Sequence, residues 1–272
     1  MNKGTIRAGV DIGGTFTDIV VCQEDKVIVE KVLSTPSSPD RAVVDGLRPV
    51  VKSLNAPLEE FRHGTTVATN AIIEGKGVKT AFLVTEGFSD LLELRRQNRP
   101  YLYSLAQEPP QLLITKDLCF AVPERVSAKG ELLIGLTEVK AREIAQKVKE
   151  SGAVAAAVCF LFSYLNPAHE LMMGEALAKA GLFVSLSHQV IATRGEYERA
   201  CATVWNGLVS PIMERYLVQM EGELSPQSFW VMSSRGTAMA LEEVKKRGVE
   251  TALSGPAAGV SGAVAIADGA EI

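Results

Sequence analysis

Cysteine is scarce, and none of it is spaced for metal or redox work. Four cysteines stand at positions 22, 119, 159 and 201 of 272 residues, with no Cys-x-x-Cys pair and no zinc-ligand spacing. Cys22, Cys119 and Cys159 fall in segments that read as strands, so reduced core thiols in a cytoplasmic protein are expected. Histidine is scarcer still. An all-histidine metal site would need His63, His169 and His188 together. No block of Lys or Arg stands out and the formal net charge is −4, which argues against nucleic acid as the main partner. No apolar run is long enough to span a bilayer, and the start carries no signal-peptide pattern, so no membrane partner is expected. The absence of a Gly-x-Ser-x-Gly elbow disfavours serine-hydrolase chemistry. Neither a repeat nor a low-complexity linker is present. What remains is an ordinary globular composition, 47% hydrophobic and 22% charged, long enough for one large domain or two modest ones.

The most informative stretch is Gly9-Val10-Asp11-Ile12-Gly13-Gly14-Thr15-Phe16-Thr17-Asp18. An apolar strand enters it and Ile19-Val20-Val21-Cys22 resumes a strand after it, so it is a hairpin with a glycine tip. A bare Gly-Gly is an ordinary primed turn. Two threonines and two flanking acids are more than a turn needs, and together they suit polyphosphate and Mg²⁺. At Gly13 and Gly14 backbone N–H groups can approach phosphate oxygens without a Cβ in the way. Thr15 and Thr17 can donate hydroxyl hydrogen bonds to the same oxygens. Asp11 can hold Mg²⁺ directly or through its waters. A Walker or Rossmann loop opens a helix instead, so neither fits this strand-loop-strand context.

The periodicity predicts strands over Ile6–Asp11, Thr17–Val21 and Val27–Leu33, then a helix from Asp40 to Leu54 that Pro49 should kink or end early. Three strands followed by a helix is an α/β beginning, not a doubly wound one. His63-Gly64-Thr65-Thr66 leads into a helix from Val67 to Glu74, and Thr80–Val84 is the next strand. Leu91 to Lys116 reads as a long irregular loop of the functional kind. Strands at Cys119–Val122 and Arg125–Leu133, a helix over Glu138–Glu150, the most buried strand at Val154–Phe162, a helix ending near Ala180 and a strand at Leu182–Leu186 complete the first part. A soft boundary falls near His188 to Glu196. Beyond it come a long helix from Glu196 to Glu223, bent or interrupted at Ser210-Pro211, a strand at Phe229–Met232, a helix over Ala238–Arg247 and a small-residue run from Thr251 to Ala267.

These residues add up to a resemblance to the N-terminal half of the hydantoinase A and 5-oxoprolinase family, which includes related subunits of acetone carboxylase. The matching segments are Gly9 to Asp18, His63 to Ala71, Arg96-Gln97-Asn98-Arg99-Pro100, Cys159 to Leu161 with Ser163 to Pro167, Glu196-Tyr197-Glu198-Arg199, and Leu253 to Val260. The resemblance implies an α/β, actin-like ATPase core with a ribonuclease-H-like first lobe and a mixed sheet, plus the start of a second region. It divides the chain into an N-terminal domain over 1–190 and the beginning of a hydantoinase A domain over 191–272. It implies ATP and Mg²⁺ as cofactors, a small cyclic amide (a hydantoin, 5-oxoproline or a related lactam) as substrate, and a hydantoinase B-type subunit as partner. The implied reaction is ATP-dependent ring opening, in which phosphorylating the amide oxygen activates a poor electrophile. Asp11, Thr15 and His63 are then the residues of the reaction. Gly13, Gly14, Thr15, Thr17, Thr65 and Thr66 hold the phosphates, and Asp11 holds the metal.

Two further readings stand beside this one: a non-catalytic assembly module completed by another chain, and a sugar- or acyl-kinase-like phosphotransferase. Family members carry a second phosphate hairpin soon after the Ser-Gly-Pro-Ala segment, and this sequence reaches Ile272 before one. That reads as a first lobe with the opening of a second, whose exposed face favours self-association into a homo-oligomer. Ser233-Ser234-Arg235-Gly236-Thr237 also departs from the pattern, where an acidic or amide residue and paired glycines are expected, and Arg95 stands where a glycine is usual. Thr65 and Thr66, with Asn70 one helical turn on, are read as lining a cleft beside His63. Arg95, Arg96, Asn98 and Arg99 form either a solvated patch or a surface that docks a second subunit or contacts an anionic substrate. His169 and Glu170 read as a helix cap or surface pair, and Glu196, Glu198 and Arg199 as a structural ion pair or a lining of the cleft between lobes, the first being favoured. The glycines of the last segment suit either close helix packing or a nearby nucleotide.

Overall fold

The computed structural model describes residues 4–35, 38–98, 103, 106 and 112–269. Pro36, Ser37, Arg99 and Pro100, which figure in the sequence reading, lie outside the described residues. The chain packs as two compact units: residues up to Lys76 together with those from Val209 onward, and Gly77–Leu208.

The first unit opens with β1 (Ile6–Ile12), β2 (Phe16–Gln23), β3 (Lys26–Leu33), α1 (Pro39–Leu54), β4 (Leu58–Gly64) and α2 (Val67–Ile73). The second holds β5 (Thr80–Thr85), α3 (Leu91–Leu94), β6 (Cys119–Val122), β7 (Arg125–Val126), β8 (Leu132–Ile134), α4 (Glu138–Glu150), β9 (Ala155–Cys159), α5 (Ala168–Lys179), β10 (Phe183–Leu186) and α6 (Ser187–Val190). Helix α7 (Glu196–Leu224) carries the chain back into the first unit, which ends with β11 (Ser228–Met232), β12 (Ala238–Ala240), α8 (Leu241–Lys246) and α9 (Ser254–Gly269). Among the described residues no helix is long and apolar enough to cross a membrane.

The first unit is built on a mixed sheet of order β12-β11-β4-β1-β2-β3. The pair β1/β2 is antiparallel and closed by the glycine hairpin, whereas β1/β4 and β4/β11 are parallel. Alternation decides which face is covered. Ile6, Ala8, Val10 and Ile12 of β1, Ile19 and Val21 of β2, Phe61 of β4 and Val231 of β11 are all buried. Val43, Val44 and Leu47 of α1 and Met213, Leu217 and Met220 of α7 supply the buried helical side chains of this unit. Residues between them on the strands, such as Arg7, Asp11 and Arg62, point the other way.

The second unit has a four-stranded sheet, β10-β9-β5-β6, parallel throughout. Its central strands β5 and β9 are buried at every position, as a parallel sheet covered on both faces requires. One core cluster joins β5 and β9 to α4 and α5, and another joins them to α3 and the first half of α7.

Several expectations need correction. Helix α1 runs on past Pro49 to Leu54, because its buried stripe on β2 and β3 holds it together where the proline removes one backbone hydrogen bond. Helix α7 is likewise continuous through Pro211. The segment expected to be helical from Ala238 begins as β12, an antiparallel partner for β11, and turns helical only at Leu241. The most buried strand stops at Cys159, and the chain leaves the sheet through Phe162, whose φ is 55°. Leu91 to Lys116 is not wholly irregular, since it contains α3. Arg95, at the end of α3, takes a φ of 54°, the conformation that suits the glycine usual there.

His169 and Glu170 are neither a cap nor a surface pair, since both are buried. Glu170 accepts from Phe160 N (2.9 Å), Ser187 Oγ (2.6 Å), His188 N (3.1 Å) and His188 Nδ1 (2.6 Å). His169 accepts from Leu136 N at 3.2 Å, which leaves its Nδ1–H to donate to Glu124 at 2.8 Å. Glu124 also receives the Thr85 hydroxyl. These carboxylates tie together the chain ends at the carboxyl edge of the sheet, where strand pairing stops and backbone donors need new acceptors. Glu170→Ala strands several buried donors at once. It should lower the unfolding free energy by about 3 kcal/mol or more in urea titrations. A loss within about 0.5 kcal/mol would mean that water replaces the carboxylate.

Candidate functional site

The glycine hairpin forms as the sequence predicts. Asp11 faces Asp18 and Ile12 faces Thr17 across the β1/β2 pair, and Gly13 N closes the turn on Phe16 O at 2.9 Å. Gly14 and Thr15 form the exposed tip, and among the described residues their N–H groups make no hydrogen bond. Thr17 is different, being fully buried with its hydroxyl 3.0 Å from Ser34 Oγ. Ser34 in turn donates to Gly13 O at 2.8 Å, and its N–H donates to Thr15 O at 2.9 Å. Thr17 and Ser34 thus brace the loop from beneath.

Asp11 sits where three segments converge. A Cβ on Gly64, at the end of β4, would lie 2.5 Å from Asp11 Oδ1, and one on Gly255, at the start of α9, would lie 3.6 Å from it. Glycine is therefore required at position 64 for the carboxylate to keep its place. Packing on one side of Asp11 raises its carboxyl above the ordinary range, and the neighbouring charge of Asp18 adds to the effect. Asp18 itself pairs with Lys31 at 2.7 Å. A cleft of about 340 Å³ opens over this corner, lined by Gly9, Asp11, Arg62, Gly64, Gly255 and Gly259 among others. The small residues of the final helix thus face the cleft in part. A Cβ on Gly262 would meet nothing within 4 Å, so the stripe is not one continuous packing seam.

His63 does not line the cleft. It is fully buried in the apolar layer of the first unit, stacked on Phe61 with ring centroids 5.7 Å apart. The register explains this: His63 follows Arg62 on β4 and so points to the covered face. Nδ1 lies 3.2 Å from Val10 O and Nε2 lies 2.7 Å from Tyr216 OH. Since a carbonyl can only accept, Nδ1 carries the proton and Nε2 accepts from the phenol. Burial drives the His63 pKa down to about 4 and raises that of Tyr216. The ring is neutral at physiological pH and points into the core, away from the cleft.

Thr65 is also buried, and its hydroxyl accepts from Val67 N at 3.2 Å at the start of α2. Its carbonyl accepts from Ser254 Oγ at 3.1 Å, and Thr69 Oγ1 accepts from Leu253 N at 2.8 Å. Thr66 is half-buried and its side chain caps nothing, so it remains available. Asn70 is exposed one turn further along, its N–H bonded to Thr66 O at 2.8 Å. The departing loop Ser233–Thr237 is a tight turn between β11 and β12, closed by Ser233 N to Thr237 O at 2.8 Å.

Elsewhere, Glu198 forms an exposed pair with Arg96 at 2.5 Å, while Arg199 is buried and donates to Phe160 O at 2.5 Å. Sequence reasoning missed Ser34 and Tyr216 altogether. Ser34 could have been suspected as the hydroxyl residue ending the strand beside the hairpin. Tyr216 carries no local signal, because it is one of many apolar positions on a long helix.

A burial-depressed histidine leaves a pH signature. The folded pKa of about 4 lies below the ordinary 6.5, so the unfolded chain binds the extra proton first. His63 contributes its full stability above pH 6.5 and loses it as pH falls toward 4. The loss over that window should approach roughly 3 kcal/mol. Urea unfolding at pH 7.5 and 4.5 should show this slope in the parent chain and a flatter one in His63→Gln. Equal slopes would remove His63 as its source.

The segments that meet at Asp11 have counterparts in known proteins. A family model for the hydantoinase/oxoprolinase N-terminal region matches residues 7–181, and one for hydantoinase/oxoprolinase matches residues 199–271. An uncharacterized protein of Methanocaldococcus jannaschii is 34% identical over 96% of this chain and 39% of its own length. The caprolactamase subunit alpha of Pseudomonas jessenii is 31% identical over 98% of this chain and 41% of its own. The crystal structure of the ATP-dependent caprolactamase from Pseudomonas jessenii superposes with a TM-score of 0.80 at 30% identity, over 92% of this chain and 39% of that one. Nucleotide-free acetone carboxylase gives a TM-score of 0.82 over 98% of this chain and 41% of that one. At 22% identity it speaks to the fold alone. The chain spans about two fifths of the length of these relatives.

Proposed function

The chain belongs to the hydantoinase/oxoprolinase family, and we propose that it supplies the first ATP-binding lobe of an ATP-dependent enzyme that opens a cyclic amide. The observation that carries this reading is the corner at Asp11. A carboxylate stands beside glycine backbone at 64 and 255, next to a hairpin tip with free N–H groups at Gly14 and Thr15. Such a corner suits a polyphosphate and its magnesium, because oxygen-rich ligands can approach backbone donors closely and the carboxylate can hold the ion or its waters. The raised pKa of Asp11 fits as well, since a divalent cation would restore the charged form that packing and Asp18 disfavour. Thr15 and Thr66 face the ligand. Thr17 and Thr65 act from beneath by fixing the backbone, and His63 holds its neighbours without touching the substrate.

The mixed sheet and glycine hairpin agree with an actin-like ATPase lobe with ribonuclease-H-like topology, in which the nucleotide would lie against the β1/β2 tip. The domain limits are proposed at 1–190 and 191–272. An amide resists attack because resonance strengthens its C–N bond. Phosphorylating its oxygen makes the carbon electrophilic and supplies a leaving group, so the protein need only position the reactants and neutralise charge. The similarity to a caprolactamase described as ATP-dependent favours this chemistry on a lactam-like ring. Its alpha-subunit relative favours a separate partner chain of the hydantoinase B type.

Calorimetric titration of Mg·ATP tests the assignment. The parent protein should bind, and both Asp11→Ala and Gly64→Ala should weaken binding about tenfold or more, the second because its Cβ displaces the carboxylate. Equal binding in all three would sink the phosphate site. With hydantoin, 5-oxoproline or caprolactam added, the expected products are ADP, phosphate and an open-chain acid. A stable phosphorylated product would point to a kinase instead.

A further inference from the structure

Three segments meet at Asp11, the end of β1, the end of β4 and the start of α9, and the start of α2 follows β4 directly. One buried hydroxyl connects to all of them. Tyr216 OH donates to His63 Nε2 at 2.7 Å, and His63 Nδ1–H donates to Val10 O at 3.2 Å, one residue before Asp11. On its other side the phenol interacts with the Thr65 side chain. Thr65 Oγ1 receives Val67 N at 3.2 Å, and Thr65 O receives Ser254 Oγ at 3.1 Å, one residue before Gly255. Between His63 and Thr65 stands Gly64, whose backbone lies against Asp11. Tyr216, His63 and Thr65 are each at least nine-tenths buried, so water does not substitute for this chain of bonds.

We infer that Tyr216 is a positioning residue for the Asp11 corner, acting through His63 and Thr65 on the backbone that faces the phosphates. The inference rests on the reading of that corner as a nucleotide site. An apolar residue of the same shape would fill the core equally well, so packing alone does not call for the hydroxyl. The hydroxyl is required to orient the imidazole, because a neutral ring with its proton on Nδ1 needs a donor at Nε2. It also joins α7 to both flanks of Gly64. A shift of the Gly64 backbone by a fraction of an ångström would move it into or away from the Asp11 oxygen, so a small loss of order there becomes a change in the ligand site.

The test is Tyr216→Phe, which removes the hydroxyl and little else. The control is Val44→Ala, which thins the same core on α1 without touching the chain of bonds. Both should lower the melting temperature. Tyr216→Phe alone should weaken Mg·ATP binding, by about tenfold, the equivalent of one hydrogen bond lost from the site. It should also speed amide hydrogen exchange selectively at Asp11, Ile12, Gly64 and Val67. Unchanged affinity with a lowered melting temperature, or exchange that rises evenly in both variants, would overturn the inference and leave the nucleotide site standing. If the parent protein binds no Mg·ATP, the nucleotide reading fails, and the exchange pattern still decides whether Tyr216 orders this corner.

Discussion

The candidate site depends on the parallel pairing of β1 with β4. That pairing sets Val10 beside His63 and Asp11 beside Gly64, so one register fixes both a buried hydrogen bond and an exposed close approach. The period of two along a strand makes these consequences inseparable. If His63 points into the core, Arg62 and Gly64 must face the cleft. A slip by one residue would put the imidazole in solvent and a large side chain against Asp11. The apolar residues Phe61 and Val10 that hold the register by burial therefore also hold the chemistry on the other face.

Both units bury polar groups, and for the same physical reason. Where strands end, backbone donors and acceptors lose their ladder partners and must find others. In the unit spanning Gly77–Leu208, Glu170 and Glu124 gather the donors at the carboxyl edge of a parallel sheet. In the other unit, a neutral histidine bonded to a carbonyl and a phenol serves at the equivalent edge. The difference matters for ionisation. Burial keeps the imidazole neutral, whereas the carboxylates of the other unit are held by several donors.

Much of this was legible in the sequence. The alternation of Ile6, Ala8 and Val10 gave the first strand, the glycine pair gave the turn, and the flanking acids and threonines marked the corner proposed as the site. What could not be read was which hydroxyl faces out. Thr15 and Thr17 look alike as residue types, yet the hairpin puts one at the tip and the other under it against Ser34. His63 looked functional because it adjoins Gly64-Thr65-Thr66, but strand alternation alone already assigned it to the side of Phe61. His169 and Glu170 were misplaced because their partners lie in Glu124, Phe160 and Ser187, which no local pattern links to a helix start. Pro49 was expected to kink or end α1 and Pro211 to bend or interrupt α7; neither proline ends its helix, because buried residues on both sides of it hold the helix together.

The glycines at this corner differ in what they permit, and the difference separates chemistry from folding. Gly13 closes the turn with its own N–H, so its backbone is already committed. Gly64 and Gly255 take no left-handed conformation; Asp11 Oδ1 stands 2.5 Å from where a Cβ on Gly64 would be and 3.6 Å from one on Gly255. Apolar packing does not call for a carboxylate held so close against backbone, and neither glycine has a positive φ to account for its presence. The close approach of the Asp11 carboxylate to backbone at 64 and 255 is thus the feature of this corner that supports the proposed phosphate site.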